Sequence, residues 1–186
     1  MEVNVECISE RNLWRINILI FVCTGSRNYQ FDRLIKKLDE LIEEKVIKDE
    51  VFAQIGDGTY IPKNMQYKKF VDADEYKQFQ QNAEIVITHG GTGSIVGALK
   101  NKKNVIAVPR LAEYGEHIDN HQLQIVDEFE KEGYILSAKS MEELAEKISF
   151  FKQGNQMRRF ESEGLMLGII REYIDRNINK KGGRNE

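Results

Sequence analysis

Residues 87–99 read ITHGGTGSIVGAL. His89 ends an apolar run, three glycines follow at 90, 91 and 93, and Ser94 opens a second apolar run. A glycine-rich elbow between a strand and a helix suits anion binding. The first turn of a helix presents unpaired N–H groups and the positive end of its dipole. Glycines let a phosphate approach the backbone without meeting a Cβ. The spacing predicts a diphosphate cradle in which Gly91, Thr92, Gly93 and the Ser94 hydroxyl face the ligand, joined by an imidazole N–H of His89, with no metal needed. A tight turn around a buried, hydrogen-bonded histidine is the competing reading. A dinucleotide fingerprint fits poorly: it should follow the first strand and be trailed by an acidic residue about 20 positions on. Here the spacing is Gly91-x-Gly93-x-x-x-Gly97 after a late strand, and the next strand ends at Pro109-Arg110.

A second concentration of polar chemistry, YGEHIDNHQ, covers residues 114–122. It holds Glu116, His117, Asp119, Asn120, His121 and Gln122. Several hydrogen-bonding groups close together suit the hydroxyls of a sugar. A helix N-terminus capped by Asp119 would use the same residues, and cap and site can coexist. The His-x-x-x-His spacing at 117 and 121 invites a zinc reading, but no Glu follows the first histidine as in a zincin. Asp72-Ala73-Asp74 resembles a metal-holding D-x-D; ahead of a short helix, its aspartates are better read as caps.

These residues need strand ends and helix starts to position them. INILIFVC (16–23) reads as a buried parallel strand ending at Thr24-Gly25-Ser26. Phe31, Leu34, Ile35, Leu38, Leu41, Ile42 and Val46 trace one face of a helix. EVFAQIG (50–56) is a second strand, YKKFV (67–71) an outer one, 74–82 a short helix, and EIVITH (84–89) the strand that delivers His89. A helix from Gly93 to Lys100, a strand at 105–109, a helix over 119–131 and a brief strand YILS come next. Ser140 with Glu143 predicts a capping box for the following helix. A last helix is expected from Asn155 to Arg176, with Phe160, Leu167, Ile170 and Ile174 flanked by Met166, Ile169 and Tyr173 as an apolar stripe, either core or a partner groove. Strands alternating with helices predict a doubly wound, Rossmann-like α/β fold on a parallel sheet. The expected division is an extension over 1–15, a nucleotide-binding domain over 16–154, and a helix and tail over 155–186 with a docking role.

The 186 residues suffice for one domain with a full core. A net charge of −3 gives no basic field for nucleic acid. Two cysteines, Cys7 and Cys23, make no disulfide framework and fit a reducing compartment. The longest apolar run is far short of the roughly 20 residues of a membrane span. The expectation is a cytoplasmic domain.

THGGTGSI, VPR and YGEHIDNHQ together resemble the donor-binding domain of family 28 glycosyltransferases, one half of the GT-B fold. FDRLI (31–35) and VFAQIG (51–56) extend the likeness over about Ile18 to Ile148. The resemblance is strongest to the small PssE-type subunits of capsule and exopolysaccharide synthesis, themselves similar to the soluble half of a split eukaryotic N-acetylglucosamine transferase. It implies that His89, Gly91, Thr92, Gly93 and Ser94 contact the diphosphate of a UDP-sugar. Thr24, Gly25 and Ser26 would face the acceptor or the diphosphate, and Asp119, Asn120, His121 and Gln122 the donor sugar. Many relatives carry an acidic residue at the place of Gly97, where it binds ribose; here that contact is missing.

The implied activity is metal-independent hexosyl transfer, with no cofactor beyond the UDP-sugar substrate. Glu116 or His117 would act as general base unless the base lies on a partner. One donor domain lacks an acceptor wall, so the implied partner is a membrane-anchored subunit presenting a lipid-linked saccharide, with this chain held peripherally at the inner face of the membrane. A non-catalytic nucleotide-sugar-binding module and a small nucleotide-sugar epimerase are the alternatives.

Overall fold

The computed structural model describes residues 19–160 and Gly168. Six parallel strands form one sheet in the order β3-β2-β1-β4-β5-β6. They are β1 (Leu19–Cys23), β2 (Glu50–Gln54), β3 (Gln66–Lys68), β4 (Ile85–His89), β5 (Asn104–Val108) and β6 (Leu136–Ser137). The helices are α1 (Asp32–Glu43), α2 (Ala73–Asn82), α3 (Thr92–Lys100), α4 (His121–Lys131) and α5 (Leu144–Lys152).

β1 and β4 are central and nearly continuous in apolar residues because both of their faces are covered. Alternate residues point to opposite faces. Ile20 and Val22 join Leu34, Ile35, Leu38, Leu144, Ile148 and Phe151 in one core, under α1 and α5. Phe21 and Cys23 join Phe79, Ile95, Leu99, Val126 and Phe129 in the other, under α2, α3 and α4. The doubly wound α/β expectation holds.

The strand order reverses between β1 and β4, which pair in parallel. Crossovers leave toward opposite sides there, so the carboxyl ends of these two strands open a crevice. The two glycine elbows, at 24–26 and 89–94, are the continuations of these strands.

Four local expectations change. Val46 follows α1 in a turn and is exposed rather than on the buried stripe. Ser140 does not cap α5, whose N-cap is Glu143; the Glu143 carboxylate instead accepts from the Lys139 N–H at 3.4 Å. Helix α4 starts at His121, two residues later than expected. Residues 155–160 are not helical. Gly154, at φ +84°, ends the preceding turn, after which Arg158 N–H donates to the Gly133 carbonyl (2.9 Å) and Phe160 packs edge-on against Tyr134. Phe160 thus belongs to this chain's own core, while Met166, Leu167, Ile169, Ile170, Tyr173 and Ile174 lie outside the described residues.

Candidate functional site

His89 leaves the end of β4 with its ring between the two elbows. A Cβ added at Gly25 would sit 2.8 Å from His89 Cε1, and one at Gly91 would overlap Nε2. Gly25 also has φ +97°, a conformation that side chains rarely adopt. Both glycines are therefore required by the histidine wedged between them. Burial, followed by the charge of Arg110, holds the His89 pKa down to about 4. At neutral pH the ring carries no charge and a single N–H, which the Cys23 carbonyl accepts, so the ligand donor expected of His89 is spent inside the fold.

Behind His89, α3 starts at Thr92. Gly91 N–H donates to the His89 carbonyl (2.8 Å) and Ser94 N–H to the Gly91 carbonyl (3.1 Å). Among the described residues, the N–H groups of Thr92 and Gly93 find no acceptor. A Cβ at Gly93 would meet nothing within 4 Å, so this end of the helix opens onto free space. The Ser94 side chain lies instead beside the Cys23 thiol and Tyr76 hydroxyl, behind the elbow. The cradle is accordingly narrower than the sequence suggested, and its hydroxyl is turned away. Gly97 faces Gln80 on α2, where a Cβ would stand 3.4 Å from the Gln80 amide.

In the first elbow, Ser26 is exposed while Thr24 is fully buried. The Thr24 hydroxyl donates to the Gln54 carbonyl at 3.0 Å and ties β1 to β2. Its expected ligand contact is thereby corrected to a strand tether.

The 114–122 cluster lies after β5. Gln122 is buried, and its Oε1 accepts from both Gly90 N–H and Arg110 N–H, each at 3.0 Å. It braces the second elbow against the β5 loop. Asn120 Oδ1 accepts from Ala112 N–H (2.8 Å). Asp119 Oδ1 accepts from His121 N–H (3.1 Å), a partial cap, and also bonds His121 Nδ1 closely. That bond to His121 is the main cause holding the Asp119 carboxyl below its ordinary value.

The two residues expected to supply a base are both spent on structure. Glu116 is fully buried in a two-pronged ion pair with Arg33 and also accepts from Leu111 N–H at 3.0 Å. His117 is 6% exposed, packed between Tyr29 and His121 with ring centroids at 5.2 and 4.6 Å. Burial pushes its pKa below the usual histidine value. The side chain better placed for proton transfer is His121, which is partly exposed. Asp119 binds its Nδ1 and thereby leaves Nε2 as the lone-pair nitrogen.

Ligating atoms of His117, Asp119 and His121 all lie within 4.8 Å of one another, a set with the donor types of a divalent-cation site. Asp72, by contrast, is the N-cap of α2: it accepts from Asp74 and Glu75 N–H groups, and Glu75 completes a capping box. The D-x-D is therefore a cap, as its position before a helix predicted.

Sequence reasoning gave no role to three arginines. Arg110 is 1% exposed at the end of β5, and its Nη2 reaches the carbonyls of both Thr24 and Tyr29. Arg33 clasps Glu116 and the Pro109 carbonyl (2.8 Å). Arg27 stands exposed just after the first elbow. A charged residue directly after a buried strand was the available signal for Arg110; none existed for the others.

The 3-2-1-4-5-6 sheet with two glycine elbows at its switch point defines a Rossmann-like α/β domain. The chain belongs to the glycosyltransferase family 28 C-terminal domain, whose profile matches residues 19–163. Similar curated proteins include the UDP-N-acetylglucosamine transferase subunit ALG13 of Homo sapiens, 30% identical over 125 residues, and that of Candida albicans, 29% over 123. The match covers 62% of this chain and 10% of the human protein, and 61% and 40% for Candida. The chain thus spans well under half the length of these relatives. Among solved structures, the NMR solution structure of ALG13 has a TM-score of 0.56 at 18% identity, covering 83% of this chain and 94% of that one. The glycosyltransferase SnogD from Streptomyces nogalater has a TM-score of 0.51 at 20% identity, covering 72% of this chain and 34% of that one. These structural likenesses carry the fold, which is that of one half of a GT-B glycosyltransferase.

Among the described residues, no helix is long and apolar enough to cross a membrane.

Proposed function

We propose that this chain is the donor-binding subunit of a UDP-sugar-dependent hexosyltransferase that works with a membrane-anchored partner on a lipid-linked saccharide in capsular or exopolysaccharide synthesis. One observation carries the reading: the open N-terminus of α3, with the Thr92 and Gly93 N–H groups free, faces the crevice at the switch point of a family 28 domain. The placement of the chain at the cytoplasmic face of the membrane follows from the partner, which would hold the acceptor.

In the transfer, the acceptor oxygen bonds to the anomeric carbon as the bond from that carbon to the β-phosphate oxygen breaks. UDP leaves with the bonding pair, and the α3 N-terminus stabilises the charge that develops on it. The hydroxyl proton passes to a base. On this chain His121 Nε2 is the group for that task, with Asp119 orienting the ring and stabilising the imidazolium.

The test is co-expression with the product of the neighbouring gene, followed by transfer from a panel of labelled UDP-sugars. Product should require both chains, and the separated chain should bind UDP without turning it over. Failure of the full-length chain to bind UDP in calorimetry overturns the reading. Chelation should leave transfer intact; activity lost in EDTA and restored by zinc would assign His117, Asp119 and His121 to a metal.

A further inference from the structure

We propose that Arg27 is the cation that clamps the donor's diphosphate across the mouth of the crevice, an inference that rests on the UDP-sugar reading above. The loop that carries it, 24–29, is pinned at both ends by one atom. Arg110 Nη2 binds the Thr24 carbonyl and, at 3.2 Å, the Tyr29 carbonyl. Between these anchors Tyr29 N–H donates to the Arg27 carbonyl at 2.7 Å, closing a tight three-residue bend that Arg27 opens and that has Asn28 at its centre.

Its neighbours in the loop fix where Arg27 stands. Two residues earlier, Gly25 lies against the His89 ring. Two residues later, the Tyr29 ring lies on His117 at 5.2 Å. Arg27 is thus bracketed between the second elbow and the 117–121 cluster, and its charge acts on His89, His117 and Arg110 alike. It is exposed, and no carboxylate among the described residues pairs with it.

The other donors in the crevice leave this role open. His89 is neutral, and α3 contributes only the equivalent of about half a charge. Arg110 remains a cation, but it is sunk beneath the loop with Nη2 spent on carbonyls. Its Nε is buried with no partner, beneath the loop that its Nη2 pins. An exposed guanidinium on a pinned loop can fork onto phosphate oxygens and gains most when negative charge builds on the leaving UDP.

The experiment measures binding of UDP and uridine to the full-length chain by calorimetry, for the natural protein, Arg27→Ala, Arg27→Lys and the adjacent Asn28→Ala. Arg27→Ala should bind UDP at least tenfold more weakly with uridine unchanged, and Arg27→Lys should fall between. For the natural protein, raising salt should weaken UDP binding and leave uridine binding unaltered; its absence overturns the clamp without any variant. UDP affinity unchanged in Arg27→Ala, an equal loss in Asn28→Ala, or parallel losses of UDP and uridine would also overturn it. If the natural protein binds uridine but not UDP, the donor reading itself falls first.

Discussion

Arg33 holds Glu116 in a two-pronged ion pair, Nε to Oε1 at 2.7 Å and Nη2 to Oε2 at 3.0 Å, across 83 residues of sequence. The bond ties α1 to the loop that carries His117 and Asp119 and leads into α4 at His121. Its buried partner is the carboxylate, whereas Arg33 keeps some solvent contact. Glu116→Ala would strand the guanidinium and the Leu111 N–H, and should destabilise the fold by about 2–4 kcal/mol. Denaturant melts of Glu116→Ala and Glu116→Gln check this. A base would behave differently: Glu116→Gln would abolish turnover at unchanged stability.

Gln122 tests the brace between the elbow and the β5 loop. Gln122→Ala leaves the N–H groups of Gly90 and Arg110 without their acceptor, which should cost about 2–4 kcal/mol. Gln122→Glu keeps an oxygen in place and should recover most of that loss. Equal stability of the alanine variant and the natural protein in urea titrations would show that the brace contributes nothing.

His89 makes stability pH-dependent. Its folded pKa is about 4, against roughly 6.5 in the unfolded chain. Between these values the unfolded state binds the extra proton, so stability is full above about pH 6.5 and declines as the pH falls toward 4, by up to about 3 kcal/mol. His117, also shifted down, acts in the same direction. Denaturation midpoints from pH 4.5 to 7.5 should show the decline in the natural protein and a shallower one in His89→Gln.

Gly93 separates ligand binding from folding. Because a Cβ there meets no protein atom, Gly93→Val should leave thermal stability nearly unchanged. The same side chain would project where a phosphate approaches Thr92 and Gly93, and UDP affinity should drop tenfold or more. Calorimetry beside a thermal melt reads both. Retained UDP affinity in a folded variant would place the phosphate elsewhere.

The elements that form the sheet were legible because their signals are local. INILIFVC and EIVITH announce strands buried on both faces, the periodic apolar positions from Phe31 announce α1, and glycines at 25, 91 and 93 mark the elbows beyond strand ends. The place of Asp72 just ahead of a short helix even revealed its cap. Helix starts at His121 and Leu144 were less legible, since Asp119 and Ser140 are equally good turn formers and the loop geometry selected later residues. What only the tertiary structure decided was which polar groups are spent and which remain free. Thr24 is consumed by Gln54, Glu116 by Arg33, and Arg110 by a loop 86 positions earlier in the chain. A hydrogen bond has no periodicity in sequence; it depends on which strand ends the parallel crossovers bring together. Spacing could therefore point to the elbows, while the pairing of β1 with β4 determined that His89 wedges them apart and that Thr92 and Gly93 keep their N–H groups open.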